Sequence, residues 1–189
     1  MSTEAGSEFD RVTFPVPEKA TIAVHDGFVT AKGPLGTARR VFPESMLSLE
    51  VKGRSAELAL RQGGGERKRA KSLLHTWEAH LRNLLTGVTK GFEARMKAVA
   101  AHFPMKVAVK DGALLIENFL GEKHPRSAPL LPGVSAEVDG EFVVLSGTDV
   151  ELVGQSAANI ERATRIRDYD PRVFQDGIYI VERAHPKEA

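Results

Sequence analysis

Thirteen residues near the start of the chain, VHDGFVTAKGPLG (24–36), return without a gap as VKDGALLIENFLG (109–121), sharing Val, Asp, Gly, Leu and Gly at an offset of 85 residues. A second echo follows in the same order: SLEVKG (48–53) becomes SAEVDG (135–140), at an offset of 87. Two ordered matches at nearly one spacing read as an internal duplication, and a repeat constrains the fold more than any single motif does. A chain of 189 residues divided this way makes two units, each of roughly 80–90 residues and near the low end of independent domain sizes.

The pattern within each copy is that of a small antiparallel sheet and one helix. In the first, TIAV (21–24), the HDG turn and FVTAK (28–32) make a hairpin, because Asp-Gly supplies the positive φ of a tight turn. TARRVF (37–42) extends again after the GPLG break, and LSLEV (47–51) and AELAL (56–60) alternate as half-buried strands do. Leu73, Trp77, Leu81, Leu84 and Val88 then recur at helical spacing, widened by Leu74 and Leu85, with Gly91 as the stop. In the second copy KVAV (106–109) and ALLIENF (113–119) flank a KDG turn, and VSAEV (134–138) and FVVLS (142–146) flank a DGE turn. T-D-V-E at 148–151 reads as a capping box that starts a helix at Thr148, with Val150, Val153, Ala157 and Ile160 on its apolar side. ARMKAVAAHF (94–103) is a further strand candidate for the second sheet, and DGIYIVE (176–182) a final strand. The expected fold class is therefore α+β, a tandem duplication of a small antiparallel sheet with one helix packed on a face. Residues 1–10 are expected to be a mobile polar tail, 11–91 the first repeat and 92–189 the second.

Chemistry-bearing signatures are missing. The sequence has no cysteine, which removes disulfides, cysteine zinc sites and thiol catalysis and suits a cytosolic protein. It holds no G-x-S-x-G elbow, H-E-x-x-H helix or Walker loop. His75 and His80 are five apart, off the i, i+4 spacing of a helical metal pair. No enzyme, no metal site and no cofactor is expected, and no apolar run is long enough to span a membrane.

Charge is more informative. The net charge is only +1, yet residues 127–161 hold six acids and no Lys or Arg, while 90–110 hold five basic residues and one acid. Local patches of this kind are what a polyanion experiences. Three basic stretches stand out. ERKRAKS (66–72) crowds cations at a helix start, where the dipole disfavours them. NFLGEKHPR (118–126) reads as a loop fixed by Gly121 and Pro125, with Lys123, His124 and Arg126 reaching outward. Residues 159–180, NIERATRIRDYDPRVFQDGIYI, carry Arg162, Arg165 and Arg167 off the end of the second helix and continue through Arg172, Gln175, Asp176 and Gly177. Arginine suits phosphate through its planar fork. Aromatic residues make up only 6% of the chain and do not cluster on one strand, so structured RNA read by shape and backbone fits better than a single-strand stacking platform.

The runs GPLGTARRVF, RNLLTGVTKGF with MKAVAAHFPM, NFLGEKHPR, and GTDVELVGQSAANIERATRIRDYDPRVFQDGIYI resemble the large-subunit ribosomal protein L-six family, in its archaeal and eukaryotic version, over roughly residues 12–182. The resemblance implies a structural, non-enzymatic role in the large ribosomal subunit of the cytoplasm. It implies binding to large-subunit rRNA of the 23S type near the sarcin–ricin loop, beside the landing site of translational GTPases, with other ribosomal proteins as neighbours. It implies too that the second unit supplies much of the RNA contact. The matching positions are Gly121, Lys123, His124, Pro125, Arg126, Arg162, Arg165, Arg167, Arg172, Gln175, Asp176 and Gly177. The competing expectation is a protein-binding module that uses the acidic face around Glu137, Asp139 and Glu141 to recruit a translation factor.

Overall fold

The computed structural model describes residues 11–61, 67–167, 169–170 and 172–188. The expected tail at 1–10 and the glycines that open the basic stretch at 63–65 lie outside the described residues. The chain clusters into two compact units that meet between Thr89 and Lys90.

The first unit contains β1 (Arg11–Pro15), β2 (Thr21–His25), β3 (Phe28–Gly33), β4 (Gly36–Val41), β5 (Leu47–Lys52), β6 (Ser55–Leu60) and α1 (Arg67–Thr89). The strands form two antiparallel sheets, ordered β2-β3-β4 and β1-β6-β5. Helix α1 packs on β1, β3, β4 and β6. Its stripe of Leu74, Trp77, Leu81, Leu84, Leu85 and Val88 is buried against Phe14, Ile22, Val29, Leu47 and Leu58 from the strands. Each such side chain removed from water contributes roughly 1.5–3 kcal/mol, which is why the helical spacing of the sequence settles this face. Gly91, at φ 77°, follows the helix as its left-handed stop.

The second unit contains β7 (Phe92–Val99), β8 (Lys106–Lys110), β9 (Ala113–Glu117), a single 3-10 turn (Phe119–Gly121), β10 (Arg126–Pro129), β11 (Val134–Asp139), β12 (Phe142–Gly147), α2 (Val150–Ala163) and β13 (Gly177–Pro186). Its sheets run β10-β9-β8 and β11-β12-β7-β13. Helix α2 lies on β7, β10, β11, β12 and β13, with Val153, Ala157 and Ile160 buried beside Met96, Leu114, Ile116, Leu145 and Ile178. The helix starts one residue later than the capping box implies. Asp149 is the N-cap, its carboxylate accepting from the Glu151 main-chain N–H at 2.8 Å. A carboxylate at the cap also complements the helix dipole, which a threonine hydroxyl does not.

The duplication is written into the hydrogen bonding. Asp26 and Gly27 take φ of 50° and 75°, and Asp111 and Gly112 take 51° and 73°, the paired positive φ values of a type I′ turn. In each unit the third strand of that sheet runs back past the turn: Phe42 N–H donates to Gly27 O, and Leu130 N–H to Gly112 O. Strand β7 pairs with β12 as β1 pairs with β6. Two features break the symmetry. Between β3 and β4 only Pro34 and Leu35 intervene, whereas residues 118–125 separate β9 from β10. The Leu-Gly that ends the 13-residue match therefore has different places, Gly36 opening β4 and Gly121 closing the 3-10 turn. Second, β13 has no counterpart among the described residues of the first unit; it adds to the outer side of β7, with two register shifts along its length. The long loop and the chain that leads into β13 are the two stretches singled out by charge.

Candidate nucleic-acid interface

Arg126 joins those two stretches. Sequence alone suggests a cation reaching outward; in the structure its side chain is only 24% exposed. The guanidinium makes two bonds to the Glu122 carboxylate, at 2.8 and 2.6 Å. Its Nη1 donates to the main-chain oxygens of Ala163 at 2.8 Å and Arg165 at 3.1 Å. Its Cζ lies 4.2 Å from the centre of the Phe119 ring. The Ala163 carbonyl belongs to the open end of α2, where main-chain oxygens lack helical partners, and that of Arg165 lies just past it. The Arg126 hydrogen bond holds the Glu122 carboxyl below the usual glutamate value, against a smaller effect of burial. Lysine has one compact ammonium and cannot span a carboxylate and two carbonyls together. Arg126→Lys is therefore expected to destabilise the second unit by about 2 kcal/mol, measured by urea denaturation. A variant within about 0.5 kcal/mol of the native protein would show that the bridge contributes nothing.

Asp176 is the second anchor. It is 2% exposed, and accepts from the His102 main-chain N–H at 3.0 Å and the His102 Nδ1 at 2.6 Å. Burial is the largest influence on its carboxyl and opposes the charge. The hydrogen bonds from His102 and the Ala101 main chain outweigh it, so the group ionises below the usual aspartate value. The His102 ring lies 4.5 Å from that of Phe174, which in turn lies 4.7 Å from Tyr169. Asn118 Nδ2 donates to Pro104 O at 3.0 Å, and the Phe103 ring lies against Gly121. The segment 101–105 thus touches both stretches. Gly177 is buried beneath Tyr179, where a Cβ would sit 2.9 Å from the ring, and Ile178 N–H donates to the buried Thr164 hydroxyl at 3.0 Å.

The remaining expected site residues face outward. Gly121, Lys123, His124 and Pro125 are exposed on the loop, as are Arg162, Arg165, Arg167, Arg172 and Gln175 on the tract. No ion pair with a described residue engages the side chains of Lys123, Arg162, Arg165, Arg167 or Arg172. The twelve residues thus divide by role: Arg126, Asp176 and Gly177 hold the two stretches in place, and the rest form the surface. Sequence reasoning missed His102, Thr164 and Tyr179. His102 lies 74 residues from its carboxylate, a separation that leaves no periodic signal. Among the described residues no cluster of His, Cys, Asp or Glu could hold a metal ion, and no helix is long and apolar enough to cross a membrane.

Fold and surface together define a class: a duplicated α+β protein whose second unit mounts a cationic surface on rigid internal bonds. Comparison with known proteins makes the class specific. The family model described as Ribosomal protein L6 matches residues 103–177, from the segment beside the loop to the start of β13. The large ribosomal subunit protein uL6 of Methanosarcina mazei is 45% identical over 172 residues, 91% of this chain and 96% of that protein. The uL6 of Ignicoccus hospitalis is 44% identical over 89% of this chain and 91% of its own. That of Picrophilus torridus is 39% identical over 92% and 94%. The chain belongs to the uL6 family of large-subunit ribosomal proteins.

Proposed function

We propose that the protein is a structural constituent of the large ribosomal subunit in the cytoplasm, without catalytic activity. It binds large-subunit rRNA near the sarcin–ricin loop, close to where translational GTPases land, through the 121–126 loop and the 162–177 tract. The observation that carries this reading is the division of labour among cations. Arg126 is consumed in bonding the loop to the tract, while Lys123, Arg162, Arg165, Arg167 and Arg172 stay exposed on the stretches it joins. Exposed cations on a preorganised frame suit phosphate contact, which fixes register and orientation without a deep pocket. The relatives are named as proteins of the large ribosomal subunit, and the second unit differs from the first by these two features.

The acidic expectation finds a place beside this reading. Strand β11 is the edge of its sheet, with Glu137 and Asp139 exposed along it and Glu141 in the adjoining turn. An acidic edge repels RNA and suits a basic protein partner such as a translation factor. Sedimentation of a native lysate through a sucrose gradient tests the proposal. The chain is expected to travel with the large subunit and to stay there when high salt strips loosely bound factors. A chain that remains at the top of the gradient at low and high salt would refute it.

A further inference from the structure

A cleft of about 600 Å3 opens on the second unit, between the last turn of α2 and the chain entering β13. Its volume falls in the range of small-ligand sites, ~300–1,000 Å3. Glu161, Arg162, Arg165, Phe174, Gln175 and Tyr179 are among its walls. The presence of Glu161 is the anomaly. A surface built for phosphate alone gains nothing from a carboxylate in the same cleft as its arginines, because the carboxylate repels the phosphate. One Glu161 oxygen receives the Ile180 main-chain N–H at 3.4 Å. The other has no partner among the described residues.

We infer that this cleft holds one unstacked guanine of the bound RNA, with Glu161 accepting hydrogen bonds from its Watson–Crick edge and Arg162 and Arg165 taking the adjoining phosphates. The inference rests on the rRNA-binding reading above. Guanine is the base whose N1–H and N2 amino group stand side by side as donors, the pattern a carboxylate accepts. Adenine, cytosine and uracil offer no such adjacent pair. The Gln175 amide supplies a donor for the neighbouring O6. Recognition of unpaired RNA bases combines edge hydrogen bonds with contact on aromatic side chains, and Tyr179 and Phe174 provide the latter. Tyr179 is set in advance: its hydroxyl donates to Gln175 O at 3.2 Å, and its ring lies against Gly177. A wall already in place spends little ordering entropy on binding.

Kethoxal, which reacts at guanine N1 and N2, tests this on large-subunit rRNA bound by the full-length protein. With the native chain, one unpaired guanine inside the backbone footprint is expected to lose its reactivity. Glu161→Gln keeps an oxygen for Ile180 N–H but loses the charge and can no longer accept with both side-chain atoms. It is expected to leave the hydroxyl-radical footprint of the backbone intact while that guanine becomes reactive again. Inosine at the same position lacks the N2 amino group. It should weaken binding of the native chain by roughly ten- to a hundred-fold and that of E161Q much less. Equal guanine reactivity with both proteins overturns the inference and leaves rRNA binding standing. Loss of the whole footprint in E161Q alone also overturns it, since Glu161 would then serve only the fold. No footprint from the native protein overturns rRNA binding and the guanine site together. Saturable binding of GMP by the protein alone, with no guanine protected in the RNA, assigns the cleft to a free nucleotide and overturns the RNA subsite.

Discussion

Reversal of Arg165, Arg167 and Arg172 together to glutamate is expected to weaken binding to large-subunit rRNA by on the order of 10²–10³-fold near 0.1 M salt. Each phosphate neutralised contributes about −0.7 to −0.9 to the slope of log affinity against log salt. At that salt a single contact is therefore worth a factor of about five to eight, and three lost contacts multiply to roughly 100–500-fold. Three new negative charges beside the backbone supply the rest. The slope itself should become shallower by about two to three, a signature that partial unfolding would not produce. All three side chains are exposed, and none pairs with a described residue. Arg165 does take part in the bridge to Arg126, but through its main-chain oxygen, which substitution leaves in place. The circular dichroism spectrum and urea midpoint should thus match those of the native chain. Charge reversal at Glu137, Asp139 and Glu141 is the contrast, expected to leave rRNA affinity unreduced. Native affinity with an unchanged salt slope in the arginine variant would remove the tract from the RNA interface.

What the sequence reveals of this molecule is whatever is decided within a few residues. Asp26-Gly27 and Asp111-Gly112 specify their own turns, since few dipeptides accept positive φ twice in succession. The buried face of α1 is legible because Leu74, Trp77, Leu81 and Val88 mark one side of a helix whatever they pack on. Strands β1 and β10 escape notice for the opposite reason. RVTFP and RSAP are short, each ends in proline, and both become strands only because β6 and β9 offer free edges. The candidate site divides along the same line. Its arginines are visible as composition, but Arg126 and Arg165 look alike in a sequence, and only the fold turns one inward to Glu122 and leaves the other at the surface. Asp176 resembles any aspartate of an Asp-Gly turn until His102 arrives from 74 residues away to fill its hydrogen bonds. The function of a polar side chain is set by its partners, and those partners are tertiary.

The same contrast between the units predicts a strongly damaging substitution of a single glycine. Gly33→Ala is expected to cost the first unit about 3–4 kcal/mol. A Cβ there would lie 2.5 Å from Val88 O, 2.8 Å from Val88 Cγ2 and 2.9 Å from Val88 C. Two of these three atoms are main chain at the end of α1, so no side-chain rotation relieves the overlap. The β3–β4 turn must back away, and in doing so it breaks the bond from Leu35 N–H to Val88 O at 3.0 Å, which satisfies one of the orphan carbonyls of the helix end. Val88 and Ala31, both fully buried, lose their fit at the same time. Gly36 is the control. It sits at φ 129° with nothing within 4 Å of an added Cβ, so Gly36→Ala meets backbone strain alone, about 1–3 kcal/mol. Trp77, the single tryptophan of the chain and part of the first core, reports unfolding of this unit by fluorescence in urea. The repeat puts Asn118 where Gly33 stands. There φ is 57°, and the side chain donates to Pro104 O at the start of the eight residues that separate β9 from β10. The first unit closes its hairpin onto a helix end, and the second opens the equivalent place to make the cationic loop. If the Gly33→Ala midpoint moved no further than that of Gly36→Ala, close approach to α1 would not be what keeps the first hairpin short.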